Sequence, residues 1–215
     1  LADYQPGEIF AHDIRSLGVE FETPPRGDVE ATARCLILVT PDAQRTMNTF
    51  PGAAHTLSES ALDEPQIRDA AILYLEAYLW RAEDPRAAMR RALSIARAAG
   101  RKVAFTLSDI ALIRLYRDHY VEMIEAGQID LLIANEAEIM ALAGIADHEA
   151  AIAAVAPRVE LLLVTRSEKG AIAVAQGRHA EIPADPVEQV VDTTGAGDLF
   201  AAGFLLGVAG RRPLE

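Results

Sequence analysis

The run Asp192-Thr193-Thr194-Gly195-Ala196-Gly197-Asp198 leads directly into the apolar stretch Leu199-Phe200-Ala201-Ala202-Gly203-Phe204. Small residues let a backbone approach a ligand closely. A helix starting here would present N–H groups that have no partner within the helix, at the positive end of its dipole. That arrangement stabilises negative charge on a transferring phosphoryl group. Asp198, at the helix entry, can accept the proton of an attacking hydroxyl. An isolated Gly-Ala-Gly-Asp would be only a turn and a helix cap. The full run ahead of a buried apolar helix is much more specific. Its expected chemistry is phosphoryl transfer, with Asp198 as base and the backbone of Gly195, Ala196 and Gly197 as anion hole.

Rival chemistries lack their residues. No G-x-x-x-x-G-K-[ST] occurs. A dinucleotide fingerprint begun at Gly195 fails, because its third glycine position is Phe200. His12, His55, His119, His148 and His179 are not paired at metal-binding spacing, and neither C-x-x-C nor G-x-S-x-G is present. Asn135-Glu136-Ala137-Glu138 follows an apolar run. On a helix Asn135 and Glu138 could face one site, although such a sequence alone is more often a helix cap with solvated acids.

The elements that must position these residues can be read from periodicity. Helical spacing over 7–17 stops at Gly18, and strands are expected at 19–22, 33–40 and 45–50, with turns between them. Beyond about residue 65 apolar strands alternate with helices. Strands are expected at 70–75, 102–106, 129–134 and 160–165, with a hairpin over 171–182. Helices are expected at 85–99 (Asp84 as N-cap, Pro85 at its first position), 108–126 in two pieces, 136–143, 147–156 and 197–209. This alternation argues for a parallel sheet covered on both faces. Cys35, in the run Cys35-Leu36-Ile37-Leu38-Val39, reads as a plain core residue. Tyr74 and Tyr78 read mainly as packing, and Arg86, Arg90, Arg91 and Arg97 as a solvated helix face.

The 215 residues suffice for one sizeable α/β domain with a small appendage. With 51% hydrophobic and 24% charged residues, the composition is that of an ordinary globular protein. A net charge of −12 without a basic cluster argues against nucleic acid as partner. No apolar run reaches the roughly 18 residues of a membrane helix, so no membrane partner is expected. The lone cysteine suits a reducing cytoplasm.

At this point a family resemblance emerges. Asp192–Asp198 resembles the C-terminal signature of the PfkB (ribokinase-like) carbohydrate and nucleoside kinases. Asn135–Glu138 resembles that family's N-x-x-E motif, and Thr165-Arg166-Ser167-Glu168-Lys169-Gly170 its T-x-G-x-x-G nucleotide loop. Leu75-Glu76-Ala77-Tyr78-Leu79 resembles the strand end facing the substrate cleft, and Thr40–Phe50 the lid hairpin. The resemblance covers almost the whole chain. It implies a three-layer α/β/α ribokinase-like fold with a mainly parallel sheet, residues 1–18 and 51–215 forming the kinase domain and 19–50 a β lid. It implies ATP and Mg²⁺, with a monovalent cation as a further candidate. Asp198 matches the catalytic base, and Asn135 and Glu138 the motif that organises Mg²⁺. Thr165, Arg166, Ser167, Gly170, Thr194 and Asn135 match nucleotide contacts. Asn48, Phe50, Glu76 and Tyr78 are the candidate substrate contacts, and the lid is a candidate dimer surface.

Two departures stand out. Ser167 replaces the middle glycine of the nucleotide loop. The family's N-terminal Gly-Gly motif and substrate-gripping acid do not appear, and a domain of this kind would normally continue beyond the apolar helix at 197–209, so truncation at both ends is expected. The lid strand and strand-end motif are most similar to the bacterial adenosine-kinase-like branch, implying a nucleoside or ribose-like sugar. A fructokinase or ketodeoxygluconate kinase type, and a non-catalytic nucleotide- or sugar-binding relative, remain alternatives.

Overall fold

The computed structural model describes residues 2–3 and 5–214. In chain order the elements are α1 (Gln5–Ser16), β1 (Arg34–Val39), β2 (Arg45–Phe50), α2 (Glu64–Asp69), β3 (Ile72–Glu76), α3 (Glu83–Ala98), β4 (Lys102–Thr106), α4 (Ile110–Glu125), β5 (Leu131–Asn135), α5 (Glu136–Ala143), α6 (His148–Val155), β6 (Leu161–Thr165), β7 (Ala171–Ala175), β8 (Arg178–Ile182) and α7 (Ala196–Ala209). Strands β3 to β8 form a six-stranded sheet in sequence order. Its first four strands are parallel, and β7 and β8 continue it antiparallel.

Covering both faces of this sheet explains the nearly continuous apolar strands. Strand alternation sends Val103, Phe105, Leu132, Ala134, Leu162 and Val164 into the main core, with Met89 and Leu93 of α3, Ile113 and Tyr120 of α4, Ile139 of α5 and Ile152 of α6. Ile133, Leu163, Ala171 and Ala173 turn to the opposite face, where they meet Ala201 of α7. Ala201 is the buried residue of α7, while Leu199 and Leu206 are 76% and 68% exposed, so the expected buried helix is largely open. Among the described residues no single helix is long and apolar enough to cross a membrane.

Several local expectations are corrected. Residues 19–22 form no strand. Their backbone is engaged by a side chain instead, with Arg15 Nε donating to Phe21 O at 2.8 Å. Helix α3 starts at Glu83 with Ala82 as N-cap, so Pro85 sits at its third position. A proline is tolerated there because N–H groups of the first turn lack helical partners anyway. Helix α2 has no counterpart among the expected elements; Asp63 caps it by accepting from the Gln66 amide. The expected two pieces of 108–126 correspond to α4, which is interrupted by non-helical geometry at Tyr116.

Cys35 is exposed, because the β1–β2 hairpin leaves both its faces open; its Sγ lies 3.3 Å from Thr49 Oγ1. The arginines of α3 are not merely solvated. Arg97 reaches both oxygens of buried Asp130 at 2.8 Å, Arg91 pairs with Glu64, Arg90 lies over Trp80, and Arg86 over Tyr116.

Candidate active site

The register of the parallel strands gathers most of the chemistry-bearing residues along one edge. Glu76 pairs with Thr106 across β3 and β4, and Asn135 with Thr165 across β5 and β6. These are the carboxyl ends of the strands, where open α/β sheets bind their ligands. Ala171, at the start of antiparallel β7, pairs with Thr165, which brings Gly170 to the same edge.

Helix α7 begins at Gly195, which adopts φ +76°, a left-handed conformation that favours glycine. Asp192 shapes the turn ahead of it: its Oδ1 accepts from the Thr194 amide at 2.8 Å and the Thr194 hydroxyl at 2.7 Å. Those two bonds, the hydroxyl's first, hold the Asp192 carboxyl below its ordinary range, and Arg45 at the start of β2 adds a smaller electrostatic contribution. No side chain caps α7. The Ala196 amide turns back on Thr193 O at 3.2 Å, so it is not available to a ligand as expected. Among the described residues the amides of Gly195, Gly197 and Asp198 have no such partner, and a Cβ built on Gly195 or Gly197 would meet nothing within 4 Å. These three amides at the start of α7 are therefore free to meet a ligand.

Across from this helix start stands the end of β3. Tyr74 donates to Glu76 Oε1 at 3.2 Å. Burial raises the pKa of the Glu76 carboxyl, the Tyr74 bond partly opposes this, and the Asp198 charge adds to the rise. Tyr78 donates to Ser108 O at 3.1 Å, and its phenol is pushed up by burial first and then by Asp109, Glu138, Glu76 and Asp198. The structure thus brings Asp198, Glu76 and Tyr78 into one electrostatic neighbourhood. Tyr74, which the sequence suggested only as packing, belongs to it. The period-two relation to Glu76 was the available signal.

Asn135 and Glu138 form a capping box at the start of α5: the Glu138 amide donates to Asn135 Oδ1 at 2.9 Å, and the Asn135 amide to Glu138 Oε2 at 3.0 Å. Glu138 is buried, which raises its carboxyl pKa. Among the described residues no group of three or more His, Cys, Asp or Glu side chains could hold a metal.

In the nucleotide-loop motif, Ser167 takes φ +52°, so it occupies the conformation for which a glycine would be the ordinary choice. Gly170 is required by contact: a Cβ there would lie 1.9 Å from Ile182 O. The Arg166 side chain is only 9% exposed and pairs with Glu181, while its amide donates to Gly170 O at 2.7 Å. That side chain is occupied in bracing the loop against β8.

In the β1–β2 hairpin, Asn48 pairs with Leu36 and Phe50 with Arg34. The Arg34 guanidinium lies 5.6 Å from the Phe50 ring centroid. Asn48 and Phe50 are exposed, and among the described residues neither side chain hydrogen-bonds to the sheet edge.

The chain is 42% identical to the adenosine kinase of Sinorhizobium meliloti, whose crystal structure superposes with a TM-score of 0.97 over 100% of this chain and 66% of that one. Fructokinase-1 of Zea mays is 28% identical over 211 residues, 95% of this chain and 65% of the relative. The cytidine kinase of Thermococcus kodakarensis is 35% identical over 108 residues, 46% of this chain and 38% of the relative. The chain spans less than two thirds of the length of each of these relatives. The profile described as pfkB family carbohydrate kinase matches residues 3–215. With its signature run at the mouth of a ribokinase-like sheet, the chain belongs to the pfkB family of carbohydrate kinases.

Proposed function

We propose that this protein transfers the γ-phosphoryl group of ATP to a primary hydroxyl of a nucleoside or ribose-like sugar. The observation that carries the reading is the pairing of amides at 195, 197 and 198, without a backbone partner among the described residues, with the Asp198 carboxylate, whose charge is felt at Glu76 and Tyr78. Asp198 takes the hydroxyl proton, and the helix N-terminus bears charge that develops on the phosphoryl oxygens. Glu76 and Tyr78 orient the acceptor. The backbone of 165–170 and the Thr194 hydroxyl lie beside the nucleotide. The β1–β2 hairpin, with Asn48 and Phe50, covers the acceptor and limits hydrolysis by water.

Mg²⁺ fits this donor set. Glu138 is buried with no basic partner among its hydrogen bonds, and one of its oxygens remains outside the capping box. Mg²⁺ keeps most of its shell as water and phosphate oxygens and uses one or two carboxylates. Glu138 and Asn135 would hold it through its waters, where it would neutralise phosphate charge. The adenosine and cytidine kinases among the relatives favour a nucleoside acceptor; the maize relative keeps fructose in the comparison.

The test is ADP release from Mg·ATP with adenosine, cytidine, ribose and fructose offered separately. The reading expects turnover with a nucleoside or ribose well above the rate without acceptor. ADP release that no acceptor stimulates would refute it.

A further inference from the structure

Tyr74 lies where two parts of the site meet. Residues 74 and 76 of β3 share one face of the sheet by period-two alternation, the face on which α7 packs. Leu73 and Leu75 turn instead to the main core. The Tyr74 ring packs in the same apolar cluster as Ala201 and Phe204 of α7, the helix whose first turn carries Asp198. Its hydroxyl reaches the other way, to Glu76 Oε1 at 3.2 Å.

We propose that Tyr74 is a positioning residue of this site: its phenol, packed against the helix that carries Asp198, fixes the Glu76 carboxyl by donating to Oε1 and so biases it toward accepting from a substrate hydroxyl. This rests on the reading of the site as a phosphoryl-transfer centre. The charges and titratable groups facing Glu76 are Tyr74 on its own strand, Asp198 from α7, and Tyr78 from the turn after β3. None of them is a cation. Burial and the Asp198 charge both favour the protonated carboxyl, and the Tyr74 hydrogen bond is what opposes them. Burial, Glu76 and Asp198 hold the phenol itself protonated, so it has a proton to donate to the Glu76 carboxylate. A neutral Glu76 would offer an O–H and lose much of its capacity to accept, and the phenol's hydrogen bond works against that form.

The test uses the whole chain with glutamate carboxyls labelled with ¹³C. Comparison with Glu76→Gln assigns the Glu76 signal, and its titration is followed in the unmodified protein and in Tyr74→Phe. Tyr74→Phe removes one hydroxyl and preserves the ring that packs on α7. The Glu76 midpoint is expected to move to higher pH. The acid limb of kcat/KM should move with it, and KM for the acceptor should rise several-fold at fixed pH while kcat changes less. A Glu76 midpoint that stays in place or falls would overturn the proposal. Absence of turnover with every acceptor would instead sink the kinase reading, and the carboxyl titration would still decide what Tyr74 does to Glu76.

Discussion

Asn135 and Glu138 cap one another at the start of α5, each backbone amide donating to the other's side chain at 2.9–3.0 Å. The same two residues stand at the carboxyl edge of β5, beside Thr165. One pair therefore serves helix initiation and offers the site a buried carboxylate. The two roles separate experimentally. Asn135→Ala should cost about 1 kcal/mol through loss of the cap, a Tm decrease of roughly 2–4 °C in a chain of this size. Asn135→Asp keeps the acceptor and should hold its Tm within about 1 °C. Thermal unfolding of both variants checks the pair; equal losses would mean that the side-chain acceptor contributes little.

Asp198→Asn removes the proposed proton acceptor without changing the side-chain volume. The helix amides remain, so nucleotide binding should survive while kcat falls about 10²–10⁴-fold, the range of general base catalysis. Nucleotide affinity by calorimetry and kcat by ADP release, measured on one preparation, separate the two effects. An unchanged kcat would remove Asp198 from the reaction.

Glu76 supplies a pH-dependent stability prediction. Burial, reinforced by Asp198, raises its folded pKa above the ordinary value of 4.5. Its contribution is fully present below that value and is lost as the pH rises through the elevated folded value, because ionisation in place is disfavoured. Glu76→Gln keeps an acceptor for Tyr74 and does not titrate. Its Tm relative to the unmodified protein should therefore rise between pH 4 and pH 8 (roughly the span either side of an elevated carboxyl pKa). A constant difference across this span would contradict the assignment.

The loop over 165–170 offers two opposed substitutions. Gly170→Ala places a methyl group 1.9 Å from Ile182 O at φ +90°, and backbone movement there should cost about 3 kcal/mol or more. Ser167→Gly relieves a left-handed serine at φ +52°. Set against the entropy of an added glycine, it should stabilise by up to about 1 kcal/mol. Denaturant unfolding of both variants tests the loop geometry, and destabilisation by Ser167→Gly would show that the serine side chain makes a needed contact.

Trp80 anchors the turn that follows β3. It is fully buried, its Nε1 donates to His119 Nδ1 at 3.1 Å, and it meets Phe105 and Tyr120 edge-on. His119→Leu strands a buried indole N–H and should cost about 1–3 kcal/mol. His119→Asn offers an acceptor on a side chain of similar reach and should recover part of that loss. Trp80 is the single tryptophan of the chain, so its emission reports both variants directly.

The amino-acid sequence by itself determined the parts governed by neighbours along the chain. The glycines of 195–197, the Asp198 carboxylate, the alternation of apolar strands with helices and the N-x-x-E cap depend on local conformation and short hydrogen bonds, which residue type and spacing specify. Tertiary structure alone decided which side chains share a space. Strand register brought Glu76, Asn135 and Thr165 to one edge, and packing of α7 on the β3 face set Asp198 near Glu76 and Tyr74. It also placed Cys35 on an open hairpin although its run is apolar, and turned Arg97 onto buried Asp130 although its helix face looked solvated. Hydrophobicity specifies that a side chain can be buried. Which surface arrives to bury or pair it is a long-range property, set when the layers close.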